Sequence, residues 1–162
     1  MSPFKALAFS LFLVGALGCA ETVGSTHDPL AIFPARATWV WDEAANRMPP
    51  DERLRILNID AIIRDTTAEG LAARGYTQAP AGSPAPYLLS YEVGIGRLIS
   101  KTSASAVGTL SLSLVESESK RRVWVGFIKV DVDTSRTEAQ RRERLQGEMQ
   151  KMLEDFPPSQ RK

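Results

Sequence analysis

Residues 107–132 read VGTLSLSLVESESKRRVWVGFIKVDV, and this stretch decides the fold class of the chain. Leu110, Leu112 and Leu114 alternate with polar residues, so the leucines share one face of a strand over 107–116. Residues 117–120 predict a hairpin turn, and residues 122–132 predict a second strand. The stretch therefore predicts an antiparallel hairpin with one strongly apolar face.

Two further strands and two helices flank this hairpin. Aromatic and branched residues predict strands over 37–42 and 87–95, and small polar residues predict a long loop over 96–106. Apolar residues at helical spacing predict a helix over 58–74, capped by the Asn58 side chain and ended by a left-handed Gly75. The capping-box spacing of Ser135 and Glu138 predicts a second helix, which runs to about Asp155.

The order of these elements, β-α-β-β-β-α, is typical of the α+β class. We expect a largely antiparallel four-stranded sheet with two helices packed on one face. The 162-residue length suits a single domain. We expect that domain to cover 35–158 and to be followed by a polar tail over 159–162.

The N-terminus has the layout of a bacterial export signal. Lys5 precedes an uncharged, apolar stretch over 6–18, which is too short to span a bilayer. The stretch ends at Ala16-Leu17-Gly18-Cys19, which resembles the lipobox that a lipoprotein signal peptidase cleaves before a lipidated cysteine. We therefore predict a signal peptide over 1–18 and lipid on Cys19.

The residues after this cysteine predict how the domain is held and where. Residues 20–34 show little pattern, and together with Cys19 they make up the expected segment 19–34. We expect residues 20–34 to be a flexible tether that spans roughly 20 Å. In signals of the lipobox type, an aspartate after the cysteine favours the inner membrane. Because Ala20 stands there instead, we expect the inner leaflet of the bacterial outer membrane, with the domain facing the periplasm.

Composition excludes several classes of partner. The sequence has 20 basic and 19 acidic side chains, and removal of residues 1–18 takes away only Lys5 among them. A balanced chain lacks the basic excess that nucleic acid requires. With a single cysteine and a single histidine, His27, it cannot build a zinc site from thiolates and imidazoles. We expect no cofactor and no metal.

Six segments follow the lipobox along 37–158. They are Ala37-Thr38-Trp39-Val40-Trp41, Leu71-Ala72-Ala73-Arg74-Gly75-Tyr76, Leu88-Leu89-Ser90-Tyr91, Gly108-Thr109-Leu110-Ser111-Leu112-Ser113-Leu114-Val115, Val123-Trp124-Val125-Gly126 and Met152-Leu153-Glu154-Asp155-Phe156-Pro157-Pro158. In their order and spacing these segments resemble a bacterial lipoprotein family catalogued as domain of unknown function 4136. The resemblance implies an envelope location and a fold, and it implies no activity.

Few side chains have the pattern of a functional site, and we expect no catalytic residue. Trp39, Trp41 and Trp124 can line a ligand or partner surface, or can fill the core. Asp131 and Asp133 alternate along a strand end and point the same way, so they can hold a cation or supply a carboxylate pair, or can simply form a polar strand end before the helix cap. The basic clusters at 121–122 and 141–144 mark either a solvated surface or a contact with a partner.

Three functions stay open at this stage. The leading hypothesis is a non-enzymatic envelope lipoprotein, held at the membrane by lipid on Cys19, that binds or supports another envelope protein. The first alternative is a module that binds a lipid, glycan or other amphiphile. The second is a hydrolase that uses carboxylates such as Asp131 and Asp133.

The anchor can be tested by the substitution Cys19→Ser. Since the thiol is the site of lipid attachment, we expect the variant to leave the membrane fraction as soluble or uncleaved protein. Cell fractionation followed by immunoblotting measures this. An unchanged membrane fraction would contradict the anchor.

Overall fold

The computed structural model describes residues 22–99, 104–132 and 135–156 of the chain. Within these residues there are six strands, namely β1 Thr22–His27, β2 Ala37–Trp41, β3 Tyr76–Gln78, β4 Tyr87–Ile99, β5 Ala104–Glu116 and β6 Arg122–Asp131. Three helices accompany them, namely α1 Glu52–Ile56, α2 Ile59–Ala72 and α3 Glu138–Glu154. The predicted α+β class is confirmed.

The six strands form one mixed sheet in the order β1-β6-β5-β4-β2-β3. The pairs β1–β6, β6–β5 and β5–β4 are antiparallel. Strand β2 runs parallel to both of its neighbours, β4 and β3. The expected numbers of four strands and two helices are therefore wrong. The largely antiparallel sheet is found for β1, β6, β5 and β4, but the parallel pairing of β2 and β3 was not predicted. The sheet has two ends, which we name the hairpin end, where β4 leads into β5, and the turn end, where β5 leads into β6.

The expected flexible tether contains strand β1. Thr22 lies opposite Lys129 and His27 lies opposite Trp124, so β1 covers what would otherwise be the free edge of β6. The backbone groups of β6 provide partners for this strand whatever its side chains. Val23 is the one large apolar residue within β1, which leaves too little alternation for the sequence to predict a strand.

Three other segments were also not predicted, because segments that are short or rich in small residues show little hydrophobic periodicity. Strand β3 has only three residues, and α1 follows directly on the proline-rich segment before Asp51. The predicted loop over 96–106 is largely strand, since β4 and β5 stay paired as far as Ile99 and Ala104. Antiparallel pairing requires backbone groups and not large side chains.

The helix ends were predicted with partial success. Gly75 has the predicted left-handed backbone, with φ of 85°. Asn58 makes no side-chain cap and instead has a left-handed backbone, with φ of 52°, between α1 and α2. The capping box that starts α3 belongs to Thr137 and Gln140, whose side chains each accept from the other's backbone N–H. Ser135 and Glu138 lie two residues too early for this role.

All three helices pack on one face of the sheet, and the core lies between the two layers. Core side chains from the sheet include Trp39, Tyr76, Leu89, Leu112, Leu114 and Trp124, and those from the helices include Ile63, Leu71, Met149, Met152 and Leu153. Phe156 joins the layers at the turn end, since its ring centroid lies 4.9 Å from that of Tyr76 and 5.2 Å from that of Trp124. The other face of the sheet carries side chains such as Ser90, Ser111, Ser113, Val125 and Phe127, and no helix in the described residues covers it.

Gly126 permits the close approach of α3 to β6. A Cβ at this position would lie 2.4 Å from the Trp124 ring and 2.7 Å from Met152, both buried. We expect Gly126→Ala to lower the free energy of unfolding by about 1–3 kcal/mol, because the core would be overpacked. Chemical denaturation measures this.

A second glycine provides the matched control. A Cβ at Gly147, on α3, would meet no atom within 4 Å. We expect Gly147→Ala to raise the free energy of unfolding by about 0.5–1 kcal/mol, because alanine is the better helix former. Equal effects of the two substitutions would contradict the packing described here.

Candidate functional site

The three tryptophans do not form one site. Trp39 and Trp124 are buried, with 0% and 1% of their surface exposed, and they lie in different parts of the core. Trp124 packs against Phe156, whereas the Trp39 indole N–H donates to the carbonyl of Tyr76 at 3.2 Å. Trp41 is half-buried, with its ring centroid 5.2 Å from that of Trp39. Trp41 is therefore the member of the three that solvent reaches.

Arg64 on α2 lies over Trp41 and connects the helix layer to the sheet. Its guanidinium carbon is 5.1 Å from the Trp41 ring centroid and 5.8 Å from that of Tyr91. It donates to both carboxylate oxygens of Glu43 at 2.8 Å and to Asp60 at 2.9 and 3.0 Å. The Tyr91 hydroxyl donates to Asp60 as well. These groups satisfy one another, so the cluster is suited to holding α2 against the sheet.

The same contacts shift the proton equilibria in this cluster. The hydrogen bonds that Arg64 donates hold the pKa of Glu43 below its ordinary value of 4.5, against the smaller opposing effect of burial. Burial raises the pKa of Tyr91 to about 12, and its hydrogen bond to Asp60 adds to the shift. Glu43 therefore stays charged and Tyr91 stays protonated at neutral pH.

An apolar cleft lies between the helices and the hairpin end of the sheet, with a volume of about 150 Å³. Its floor is formed by Val93, Ile95, Gly108, Leu110, Ile128 and Val130, and its roof by Leu54, Leu57, Ile59, Ile63 and Leu145. An apolar cavity of about 150 Å³ is large enough to bind a benzene-sized group. The cleft is therefore the best candidate for a binding site.

Two features of the chain leave this space open. Gly108 contributes no side chain to the floor, where its neighbours Leu110, Leu112 and Leu114 on the same face are buried. The helix above it, α1, has only five residues and no fully buried one. The two layers therefore pack less closely at the hairpin end than at the turn end.

Charged side chains border the apolar walls. Arg53, Arg141 and Arg144 contribute to the lining, together with Asp131 and Glu148. Three of these groups are occupied by contacts within the fold. Arg53 pairs with Asp51 at 2.6 Å, Glu148 pairs with Lys151 at 2.8 Å, and Arg144 donates to the backbone carbonyl of Asp131 at 3.1 Å.

Arg141 differs from these neighbours. Its Nε is buried and has no hydrogen-bond partner in the described part of the chain. A buried donor without a partner costs about 1–3 kcal/mol, so a change of rotamer that brings the Arg141 guanidinium to an acceptor in the cleft recovers that free energy. Arg141 is the side chain most suited to contact an anionic group in the cleft.

The remaining predicted site residues are only partly within the described part of the chain. Asp131 ends β6 at the cleft, whereas Asp133 and the predicted lipid site Cys19 lie outside the described residues. His27, in β1 and not in a tether, packs against Phe33 with the ring centroids 6.4 Å apart. Among the described residues, no three His, Cys, Asp or Glu side chains are grouped as a metal site would require. The helices found in those residues are all too short or too polar to cross a bilayer.

Sequence reasoning identified the basic cluster at 141–144 but not the cleft beside it. Helix α1, which with its C-cap supplies Leu54 and Leu57, was not predicted. The available signal was Gly108, a glycine that precedes Leu110, Leu112 and Leu114 on the same face of a strand. Such a glycine often marks a place where another group approaches the backbone closely.

Comparisons with known proteins bear on family and fold. The model of a family described as "Domain of unknown function (DUF4136)" matches residues 23–158. A search of curated proteins found no match. The PelC dodecamer from Paraburkholderia phytofirmans is 19% identical, with a TM-score of 0.50, and the match covers 83% of this chain and 95% of that chain. A PDZ domain protein from Parabacteroides distasonis is 12% identical, with a TM-score of 0.53, and the match covers 86% of this chain and 36% of that chain. At these identities the two structures show a shared fold.

The Arg64 cluster generates a prediction about pH. Because the pKa of Glu43 is lowered in the folded state, its contribution to stability is present above pH 4.5 and is lost as pH falls below that value. We expect wild-type protein to be more stable than Glu43→Gln at neutral pH and to lose this advantage in acid. Urea unfolding of both proteins at a series of pH values measures the difference.

Removal of the arginine provides the control. In an Arg64→Met background, the difference made by Glu43→Gln is expected to be small at every pH, because the hydrogen bonds that lower the Glu43 pKa are gone. A pH dependence that persists in this background would show that Arg64 is not its cause.

Proposed function

The chain belongs to the family described as "Domain of unknown function (DUF4136)", and from that premise we propose that it is a non-enzymatic lipoprotein of the bacterial envelope that binds an amphiphile in its cleft. Lipid on Cys19 holds it at the membrane. Ala20 after the cysteine supports the inner leaflet of the outer membrane, with the domain in the periplasm.

The apolar cleft with Arg141 beside it is the observation that carries the proposal. Its walls favour a hydrocarbon group, and its volume of about 150 Å³ limits that group to a short alkyl or aryl segment. The unpartnered guanidinium Nε favours an anionic end on the same molecule. A ligand with both parts is an anionic amphiphile.

A binding role accounts for these side chains better than catalysis does. Arginine stays protonated and does not act as a general base. The carboxylate of Glu148 at the cleft is engaged by Lys151, and the histidine of the chain packs against Phe33 at the turn end. General acid–base chemistry requires a titratable group within reach of the bound molecule, and Asp131 is the carboxylate among the described lining residues for which that role stays open.

A protein partner is the second candidate, and a separate surface favours it. Leu30 and Ile32, in the connection between β1 and β2, are 78% and 74% exposed. They lie two residues apart at the turn end, away from the cleft. Adjacent exposed apolar side chains are typical of contact surfaces when they form part of a larger patch. The PelC protein of similar fold is described as a dodecamer, so self-association through this surface is one form that such a partnership would take.

Octanoate provides a direct test of the cleft. We use mature protein with Cys19→Ser, exported behind an ordinary secretory signal, and titrate it with octanoate in a calorimeter and by NMR. We expect saturable binding at one site, with amide shifts in β4, β5 and β6. Gly108→Leu should weaken binding by at least about tenfold, because the added side chain fills the floor of the cleft.

Ser111→Leu is the matched control, since it adds the same side chain to the same strand on the opposite face. It should leave octanoate binding unchanged. If both variants bind as wild type does, the cleft is not the site. If wild-type protein binds no octanoate, the protein-partner function gains, and cross-linking from Leu30 and Ile32 becomes the next measurement.

A further inference from the structure

The position of the anchor relative to the sheet orients the whole domain. Strand β1 begins at Thr22, only three residues after Cys19. Three residues extend over at most about 10 Å. The sheet is therefore attached almost directly to the lipidated residue, and not through the longer tether that the sequence suggests.

Strand pairing shows which part of the sheet this short connection holds. Thr22 lies opposite Lys129 in β6, and Lys129 lies opposite Thr109 in β5. Thr109 in turn lies opposite Gly94 in β4. This row of residues crosses β6 two residues before its end and crosses β4 and β5 near their middles, five residue pairs before Ile99 and Ala104. The row is level with the cleft, because Gly94 and Thr109 are among the residues that line it. Strand β1 thus begins level with the cleft and runs from there toward the turn end, and β6, the strand next to β1, contributes to the cleft floor.

The charged residues that line the cleft have a small excess of positive charge, which favours an anionic group there. Arg53, Arg141 and Arg144 lie around the cleft, against the carboxylates of Asp131 and Glu148. Asp51 neutralises Arg53, and Lys151 neutralises Glu148. Two arginines and one aspartate remain, which is a small excess of positive charge. The N-termini of α2 and α3 lie toward the hairpin end, and helix N-termini favour negative charge.

From these placements we infer that the hairpin end faces the bilayer and that the cleft takes up part of an acyl chain from an anionic phospholipid of the leaflet that holds the anchor. This inference rests on the proposed function, because it requires lipid on Cys19 and a cleft that binds amphiphiles. It adds the source of the ligand. A cleft of about 150 Å³ accommodates only a segment of the chain, so the lipid stays in the leaflet while the segment is bound.

Orientation is tested with spin labels on lipidated protein in vesicles of phosphatidylethanolamine and phosphatidylglycerol. Cys19 is the only cysteine and its thiol carries lipid, so an introduced cysteine is the one free thiol. Lys129→Cys places a label at the hairpin end, and Glu118→Cys places one in the turn that precedes β6. Both residues are exposed, and seven residues of β6 separate the two ends by about 23 Å.

We expect the label at position 129 to be shielded from a water-soluble nickel complex and the label at position 118 to collide with it freely. Equal exposure of the two labels, or the reverse order, would overturn the orientation. Uptake of label by wild-type protein would instead show a free Cys19, which contradicts the anchor and therefore the proposed function.

Occupancy of the cleft is tested in the same vesicles with phosphatidylglycerol that carries a photoreactive diazirine on one acyl chain. We expect cross-links to Leu57 or Leu145, reduced at least about fivefold by Gly108→Leu and unchanged by Ser111→Leu. Correct orientation without cleft cross-links would overturn the uptake of bilayer lipid, and would point to the Cys19-linked chains as the occupant. Octanoate binding by the soluble protein would survive that result, so the two proposals fail separately.

Discussion

The packing of α2 and α3 on a single face of the sheet decides where the main hydrophobic core of this protein lies. Side chains in a strand alternate between two faces, and the described helices cover only one of them. Leu110, Leu112 and Leu114 therefore face the helices, and serines occupy the intervening positions. The closest contact between the layers is at Gly126, where Trp124 and Met152 occupy the space that a side chain would need.

The cleft is a consequence of the same packing, because the two layers do not fit equally well along the sheet. At the turn end, Phe156 fills the space between Tyr76 and Trp124. At the hairpin end, Gly108 and the short helix α1 leave a gap with apolar walls. A gap of this kind loses the dispersion contacts that a filled core would make. A hydrocarbon ligand in the cleft would restore those dispersion contacts, and the contacts it regains would stabilise its binding.

The sequence predicted the parts of the fold that show strong periodicity and missed those whose pairing depends on backbone alone. The alternating leucines of β5 and the apolar stripe of α2 were recognised, and so was the left-handed Gly75. Strand β1 was missed because its pairing with β6 depends little on its side chains. The cleft was missed because it is a property of two layers, and α1, which forms part of its roof, is too short to show a helical pattern. The tryptophans were predicted either to contact a ligand or to fill the core. Trp39 and Trp124 are buried in the core, as is usual for large apolar side chains.

Strand β1 has a consequence for the anchor that a flexible tether would not have. Lipid on Cys19 attached through fifteen disordered residues would leave the domain free to rotate near the membrane. If Cys19 carries lipid as proposed, three residues would connect that lipid to a strand that is hydrogen-bonded along its length to β6, and one side of the sheet would be held near the surface. The reduced freedom would lower the entropy lost when the cleft meets the bilayer and would raise the effective concentration of lipid at the cleft. Under those conditions a small cleft with modest intrinsic affinity would be sufficient.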